Sequence, residues 1–202
     1  MKHIFKQGTN SRTLLLLHGT GGNEEDLLPL AEFIDPEASV LGVRGNVLEN
    51  GMPRFFKRLA QNVFDEEDLV FRTNELHAFL DEASDKYGFS RSEIVAVGYS
   101  NGANIAGSLL FHHVNTLKGA ILFHPMVPIR GVELPDLSSV PIFIGAGKND
   151  PLIPSKETLD LLHMLTKAGA RTEVYWESNG HQLSQTEASE AAKWYKEFLK
   201  IS

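Results

Sequence analysis

VAVGYSNGANIA, residues 95–106, decides how the chain is read. An apolar run, EIVAVG (93–98), leads into a serine set between two glycines, and NIAGSLLFHH (104–113) follows. The apolar, partly β-branched residues before the serine predict a strand, and the residues after it predict a helix. A G-x-S-x-G pattern at a strand-to-helix junction makes a sharp turn that holds the serine hydroxyl at the end of a sheet. Bulky residues two positions to either side would collide with the adjoining strand and helix, which accounts for Gly98 and Gly102. Alone, the same five residues also make an ordinary Gly-Ser turn, so the rest of the chain must decide.

Working outward, short apolar runs alternate with longer amphipathic ones. TLLLLH (13–18), SVLGV (39–43), EIVAVG, GAILFH (119–124), PIFIGAG (141–147) and TEVYWE (172–177) read as strands, with HIFKQ near the start as an edge strand. EEDLLPLAEFI (24–34), the run from Glu66 to Tyr87 with Gly88 as its C-cap, SKETLDLLHMLTKAG (155–169) and TEASEAAKWYKEFLK (186–200) read as helices. The alternation predicts an α/β fold: a mostly parallel central sheet of about seven strands flanked by helices. No linker or repeat interrupts 1–202, which reads as one domain.

Composition narrows the function classes. The chain has 202 residues, 42% hydrophobic and 22% charged, with a net charge of −7 and no basic stripe, which argues against nucleic acid as a partner. With no cysteine, disulfides, thiolate metal sites and cysteine nucleophiles are excluded. The start has neither a long apolar core nor a cleavage site, and no run reaches the roughly 20 apolar residues of a membrane span. A cytoplasmic location is the expectation.

In parallel sheets ligands sit at the carboxyl ends of the strands, so the residues immediately after each strand carry the most information. After TLLLLH comes Gly-Thr-Gly-Gly-Asn. It lacks the lysine of a P-loop, and GAGKND (145–150) also fails the phosphate-loop pattern. In a serine hydrolase the first of these turns supplies an oxyanion donor, for which the Thr20 N–H is the candidate, with the Asn101 N–H as the other. His18 reads as a brace for this loop. Asp150 follows PIFIGAG on a proline-held loop, and His181 follows TEVYWE in the loop before the last helix. Each alone has an ordinary explanation as a turn residue. Together Ser100, Asp150 and His181 stand in the chain order serine, acid, histidine expected of an α/β-hydrolase, which identifies Ser100 as the nucleophile.

LLLLHGTGGNEEDLLPLA, VAVGYSNGANIA, IFIGAGKNDPLIP and NGHQLS together resemble the phospholipase/carboxylesterase family of small α/β-hydrolases, which includes acyl-protein thioesterases and compact bacterial carboxylesterases. The resemblance runs nearly end to end. It implies an esterase with the triad Ser100, Asp150 and His181, oxyanion donors Thr20 and Asn101, and no metal or cofactor. Acyl-protein thioesterases typically carry Gln and then Gly-Gly after the nucleophile, whereas this chain has Asn101, Gly102 and Ala103. Its HGTGGN turn also differs from their Gly-Asp form. Both departures favour a bacterial-type carboxylesterase. Dienelactone hydrolases share the fold but use a cysteine nucleophile, which this sequence lacks.

The expected substrate is a small-molecule ester with a small or medium acyl or aryl group. A thioesterase or lysophospholipase acting on longer chains is the alternative, and a catalytically silent binding protein ranks below both. The residues leave oligomeric state open, and a homodimer rests on resemblance alone. Only 16 residues, 125–140, separate GAILFH from PIFIGAG, too few for a large lid domain. Met52, Phe55 and Phe56, with Met126 and Leu152, are candidate pocket residues, core packing being an equal reading for the two phenylalanines. Arg54 reads as a surface arginine, with an anionic leaving group as its alternative partner, and His124, which follows a strand within reach of the site, reads as a loop residue beside Pro125. No HExxH or similar spacing exists, so no catalytic metal is expected.

Overall fold

The four leucines at 14–17 are each no more than 2% exposed, so this strand is covered on both faces. A strand turns successive side chains to opposite sides. Leu15 and Leu17 accordingly join one buried cluster, and Leu14 and Leu16 the other. The computed structural model describes residues 1–138 and 140–199.

Its strands are β1 (His3–Lys6), β2 (Thr13–Leu17), β3 (Ser39–Val43), β4 (Val47–Glu49), β5 (Met52–Arg54), β6 (Arg58–Ala60), β7 (Val63–Phe64), β8 (Ile94–Tyr99), β9 (Gly119–Phe123), β10 (Pro141–Gly147) and β11 (Arg171–Glu177). Its α-helices are α1 (Leu28–Ile34), α2 (Glu66–Tyr87), α3 (Asn101–His112), α4 (Ser155–Lys167) and α5 (Gln185–Phe198). Seven strands form one sheet in the order β1-β3-β2-β8-β9-β10-β11. Edge strand β1 runs antiparallel to β3, and the other pairs are parallel. Residues of α2, α3 and α4 cover one face, and residues of α1 and α5 the other.

Strand order reverses at β2, whose neighbours are β3 and β8. The loops leaving β2 and β8 therefore diverge and open a crevice beyond their carboxyl ends. Thr20 follows β2 and Ser100 follows β8, so both stand at that crevice.

The helix expected from residue 24 begins only at Leu28. Pro29 occupies its first turn, where a missing N–H costs nothing. Glu24 is drawn instead into a buried position, paired with Lys2 and Arg44. α5 ends at Phe198; Lys200, included in the expected helix, lies outside the described residues. The hairpins β4–β5 and β6–β7, which sequence patterning does not reveal, fold together over the crevice, with Arg58 of one bonded to Glu49 of the other at 2.8 Å. Among the described residues, no helix is long and apolar enough to cross a membrane.

Candidate active site

Ser100 caps the N-terminus of α3 with φ 52° and ψ −112°, a conformation that costs a non-glycine residue on the order of 1–3 kcal/mol. Two backbone bonds hold it there. Its N–H donates to the Phe123 carbonyl at 2.8 Å, and its own carbonyl accepts the Asn104 N–H at 3.0 Å. The glycines make the turn possible. A Cβ on Gly98 would lie 2.6 Å from the Gly102 carbonyl oxygen, and one on Gly102 would collide with the Leu17 and His18 carbonyls.

His181, in the loop between β11 and α5, places Nε2 2.9 Å from Ser100 Oγ and Nδ1 2.7 Å from Asp150 Oδ2. An acceptor-only carboxylate fixes Nδ1 as the donor, which leaves Nε2 to accept the serine proton. The Tyr99 hydroxyl donates to the His181 carbonyl at 2.8 Å and so pins the loop to the end of β8. Asp150 Oδ1 accepts the N–H groups of Leu152 at 2.8 Å and Ile153 at 3.0 Å. Burial pushes this carboxyl upward, but the hydrogen bonds from His181 and Leu152 outweigh it, and the pKa lies below the usual aspartate value.

Thr20, Asn101 and Met126 line, with Ser100 and His181, an open cleft of about 410 Å³. Leu152, Ile153 and Phe64 add apolar side chains to its wall. Met52, Phe55 and Phe56 do not reach it. Phe55 and Phe56 are 2% and 0% exposed and pack in the core, where the chain turns inward just past the end of β5. Met52 sits 40% exposed on β5, over Gly21. Arg54, read from sequence as a surface residue, is 3% exposed. It donates to Thr20 Oγ1 at 2.7 Å, lies 3.4 Å from Glu49, and borders the cleft. Burial foremost, and then Arg58, lower its pKa.

Two asparagines on the first turn of α3 have roles that sequence reasoning missed. Asn101 Oδ1 accepts the Phe55 N–H and Asn104 Oδ1 the Met126 N–H, both at 2.7 Å. One helix turn thus positions both the serine and two walls of its cleft. The available signal was two amides in a helix otherwise apolar enough to be buried on all sides.

His18 braces the glycine turn. Its Nδ1–H donates to the Gly19 carbonyl at 2.6 Å, and its Nε2 accepts the Gly45 N–H at 3.1 Å. Accepting at Nε2 requires a neutral ring, and burial holds the pKa below the ordinary value, outweighing the bond to Gly19. A histidine whose folded-state pKa is depressed stabilises the fold above its unfolded pKa, and that contribution is lost as pH falls. His18→Asn keeps a donor for Gly19 but leaves the Gly45 N–H unpaired. The expected cost is roughly 1–3 kcal/mol, a melting temperature lower by about 3–10 °C at neutral pH, with a smaller difference in acid. Thermal unfolding across pH checks this; equal melting temperatures at neutral pH would remove His18 from the bracing role.

His124, Asp150 and His181 bring ligand-type atoms within 4.8 Å of one another, the arrangement among the described residues that most resembles a metal site. Both imidazole Nδ1 atoms already donate to Asp150 Oδ2, so the atoms a cation would need are occupied by hydrogen bonds.

Comparison with known proteins places the chain in a family. The family model described as the dienelactone hydrolase family matches residues 52–197. MhqD of Bacillus subtilis (strain 168), named as a hydrolase, is 64% identical over 199 residues, covering 98% of this chain and all of that one. The crystal structure of the Bacillus cereus carboxylesterase superposes with a TM-score of 0.98 at 60% identity, covering 98% of this chain and 95% of the other. Acyl-protein thioesterase 1 of Cryptococcus neoformans var. neoformans serotype D (strain JEC21 / ATCC MYA-565) is 24% identical over 237 residues, covering 99% and 98%. The family model matches a chain without cysteine, so the missing thiol does not set this protein apart from that family, as the sequence alone had suggested. With its carboxylesterase and thioesterase relatives and its seven-stranded sheet, the chain belongs to the dienelactone hydrolase family and is an α/β-hydrolase acting on ester bonds.

Proposed function

We propose that this hydrolase is a serine carboxylesterase that works through an acyl-enzyme. The observation that carries the reading is the unbroken hydrogen-bonded line from Ser100 Oγ through His181 to Asp150. His181 takes the Ser100 proton as Oγ adds to the ester carbonyl, then gives it to the departing alkoxide, which leaves as the alcohol. Water then enters; His181 takes its proton and returns it to Oγ as the acid is released. Asp150 holds the imidazole tautomer and stabilises the imidazolium. The developing oxyanion is assigned to the N–H groups of Asn101 and Thr20. Asn101 is the first residue of α3, so its N–H has no partner within the helix and lies at the positive end of the helix dipole.

The cleft supports a small or medium acyl or aryl substrate. About 410 Å³ lies within the usual range for a small-molecule site, and polar side chains occupy much of its wall. Thioester or long-chain hydrolysis is the second reading, favoured by the full-length thioesterase relative. A p-nitrophenyl ester series from acetate to palmitate decides between them. The expected kcat/KM is highest on short and medium acyl groups and lower on palmitate by about tenfold or more. A maximum at palmitate would favour the second reading, and failure both to turn over any ester and to be labelled by a fluorophosphonate would sink the serine mechanism.

A further inference from the structure

His124 immediately follows β9, with its backbone at φ 52° and its side chain wholly buried between two carboxylates. Its Nδ1 lies 3.1 Å from Asp150 Oδ2, the oxygen that also receives His181. Its Nε2 lies 3.1 Å from Glu187 Oε1 and 3.4 Å from Oε2; the hydrogen-bond angle is met at Oε2. Glu187 is itself buried on the first turn of α5, where it forms a capping box: its carboxylate accepts the Ser184 N–H at 2.9 Å, and its N–H donates to Ser184 Oγ at 3.0 Å. The catalytic cycle proposed above uses neither His124 nor Glu187.

We propose that His124 is a positioning residue, held as an imidazolium by Glu187, that orients the Asp150 carboxylate and sets the pH range in which His181 serves as a base. The inference rests on the triad reading above. A neutral ring would turn a bare nitrogen lone pair toward one of two carboxylates in a site without water access, whereas a doubly protonated ring donates to both. Burial opposes the charge, but Glu187 first and Asp150 second lift the pKa above the ordinary imidazole value.

The other groups facing this cluster are named readily. Tyr99, from the end of β8, packs edge-on to the His124 ring at 6.0 Å, and His181 lies ring to ring at 5.1 Å. Tyr175 on β11 is close enough to Glu187 to feel its charge, and Glu177 accepts a bond from Ser184 Oγ. None of these supplies a second cation except His181 during turnover. A fixed positive ring 5.1 Å from His181 opposes a second positive charge there, and it occupies one lone pair of the oxygen on which His181 depends.

Glu187→Gln separates charge from shape. Glutamine retains the capping box, its oxygen still accepting from Ser184 and its amide able to donate to a neutral His124, whose Nδ1–H still reaches Asp150. The expected result is an acidic limb of the kcat/KM–pH profile on p-nitrophenyl acetate shifted about one unit toward higher pH, with KM little changed. A profile that superimposes on wild type in a folded variant overturns the proposal, because a purely structural glutamate would not move it. Ring ¹⁵N NMR of the unaltered protein at slightly alkaline pH gives a reading that does not depend on the variant. Two protonated nitrogens on His124 support the proposal, and a neutral ring overturns it. Ser100→Ala, assayed beside these, tests the underlying assignment separately. If it retains turnover the triad reading fails; if it is inactive while Glu187→Gln behaves as wild type, only the role of His124 fails.

Discussion

Replacing Ser100 by alanine lowers kcat on p-nitrophenyl esters by about 10⁵- to 10⁶-fold and leaves the melting temperature almost unchanged. The loss is large because, in the proposed cycle, the substitution removes the attacking atom, and among the described residues lining the cleft no other hydroxyl is hydrogen-bonded to a histidine ring nitrogen. The fold scarcely responds, since Oγ makes one hydrogen bond, to a partly exposed imidazole, and the turn itself is held by backbone bonds to Phe123 and Asn104. Adding His181→Ala to Ser100→Ala costs little more, because the two act as a unit and the remaining rate comes from binding and oxyanion donors. Steady-state kinetics with fluorophosphonate labelling read this directly. Activity in Ser100→Ala within tenfold of wild type would mean that another group attacks the ester.

Why the turn at Ser100 was legible while the setting of Arg54 was not is a matter of interaction range. The strand-serine-helix junction is specified locally: apolar runs set the strand and helix, and two glycines admit a turn that no larger residue fits. The order serine, acid, histidine follows from strand order, which the alternating pattern also carries. Arg54 looked exposed because its setting is assembled from distant pieces, Thr20 after β2 and Glu49 on the neighbouring strand of a hairpin that no periodicity announces. Phe55 and Phe56 were ambiguous for the same reason, and the segment that follows the hairpin carries them into the core. His124 read as a loop residue because its partners, Asp150 and Glu187, lie 26 and 63 residues away. Glu187 in turn was hidden inside a helix start, where a glutamate three residues after a serine already has a sufficient local explanation.

Gly102→Ala is the substitution expected to damage the fold most while changing the fewest atoms. In an exposed helix the exchange would stabilise by about 1 kcal/mol, since glycine is the poorer helix former. Here α3 crosses the end of β2 so closely that the new methyl meets backbone, the carbonyls of Leu17 and His18, rather than a side chain able to swing away. Relief requires the helix to move off the sheet. Overpacking against a yielding core typically costs about 1–3 kcal/mol, and an unyielding strand places the expected loss at or above the upper end, a melting temperature lower by roughly 6–12 °C. The same displacement carries Asn101 away from Thr20 and separates the two candidate oxyanion donors, so kcat should fall by about 10²-fold even in the fraction that folds. Gly107→Ala is the matched control on the same helix. Its methyl would meet only the Pro128 ring, at 3.1 Å, which has to yield by a few tenths of an ångström rather than a whole helix moving off the sheet, so the change in melting temperature should be far smaller than for Gly102→Ala. If both variants melted and turned over alike, close approach of α3 to β2 would not be what holds the serine turn in place.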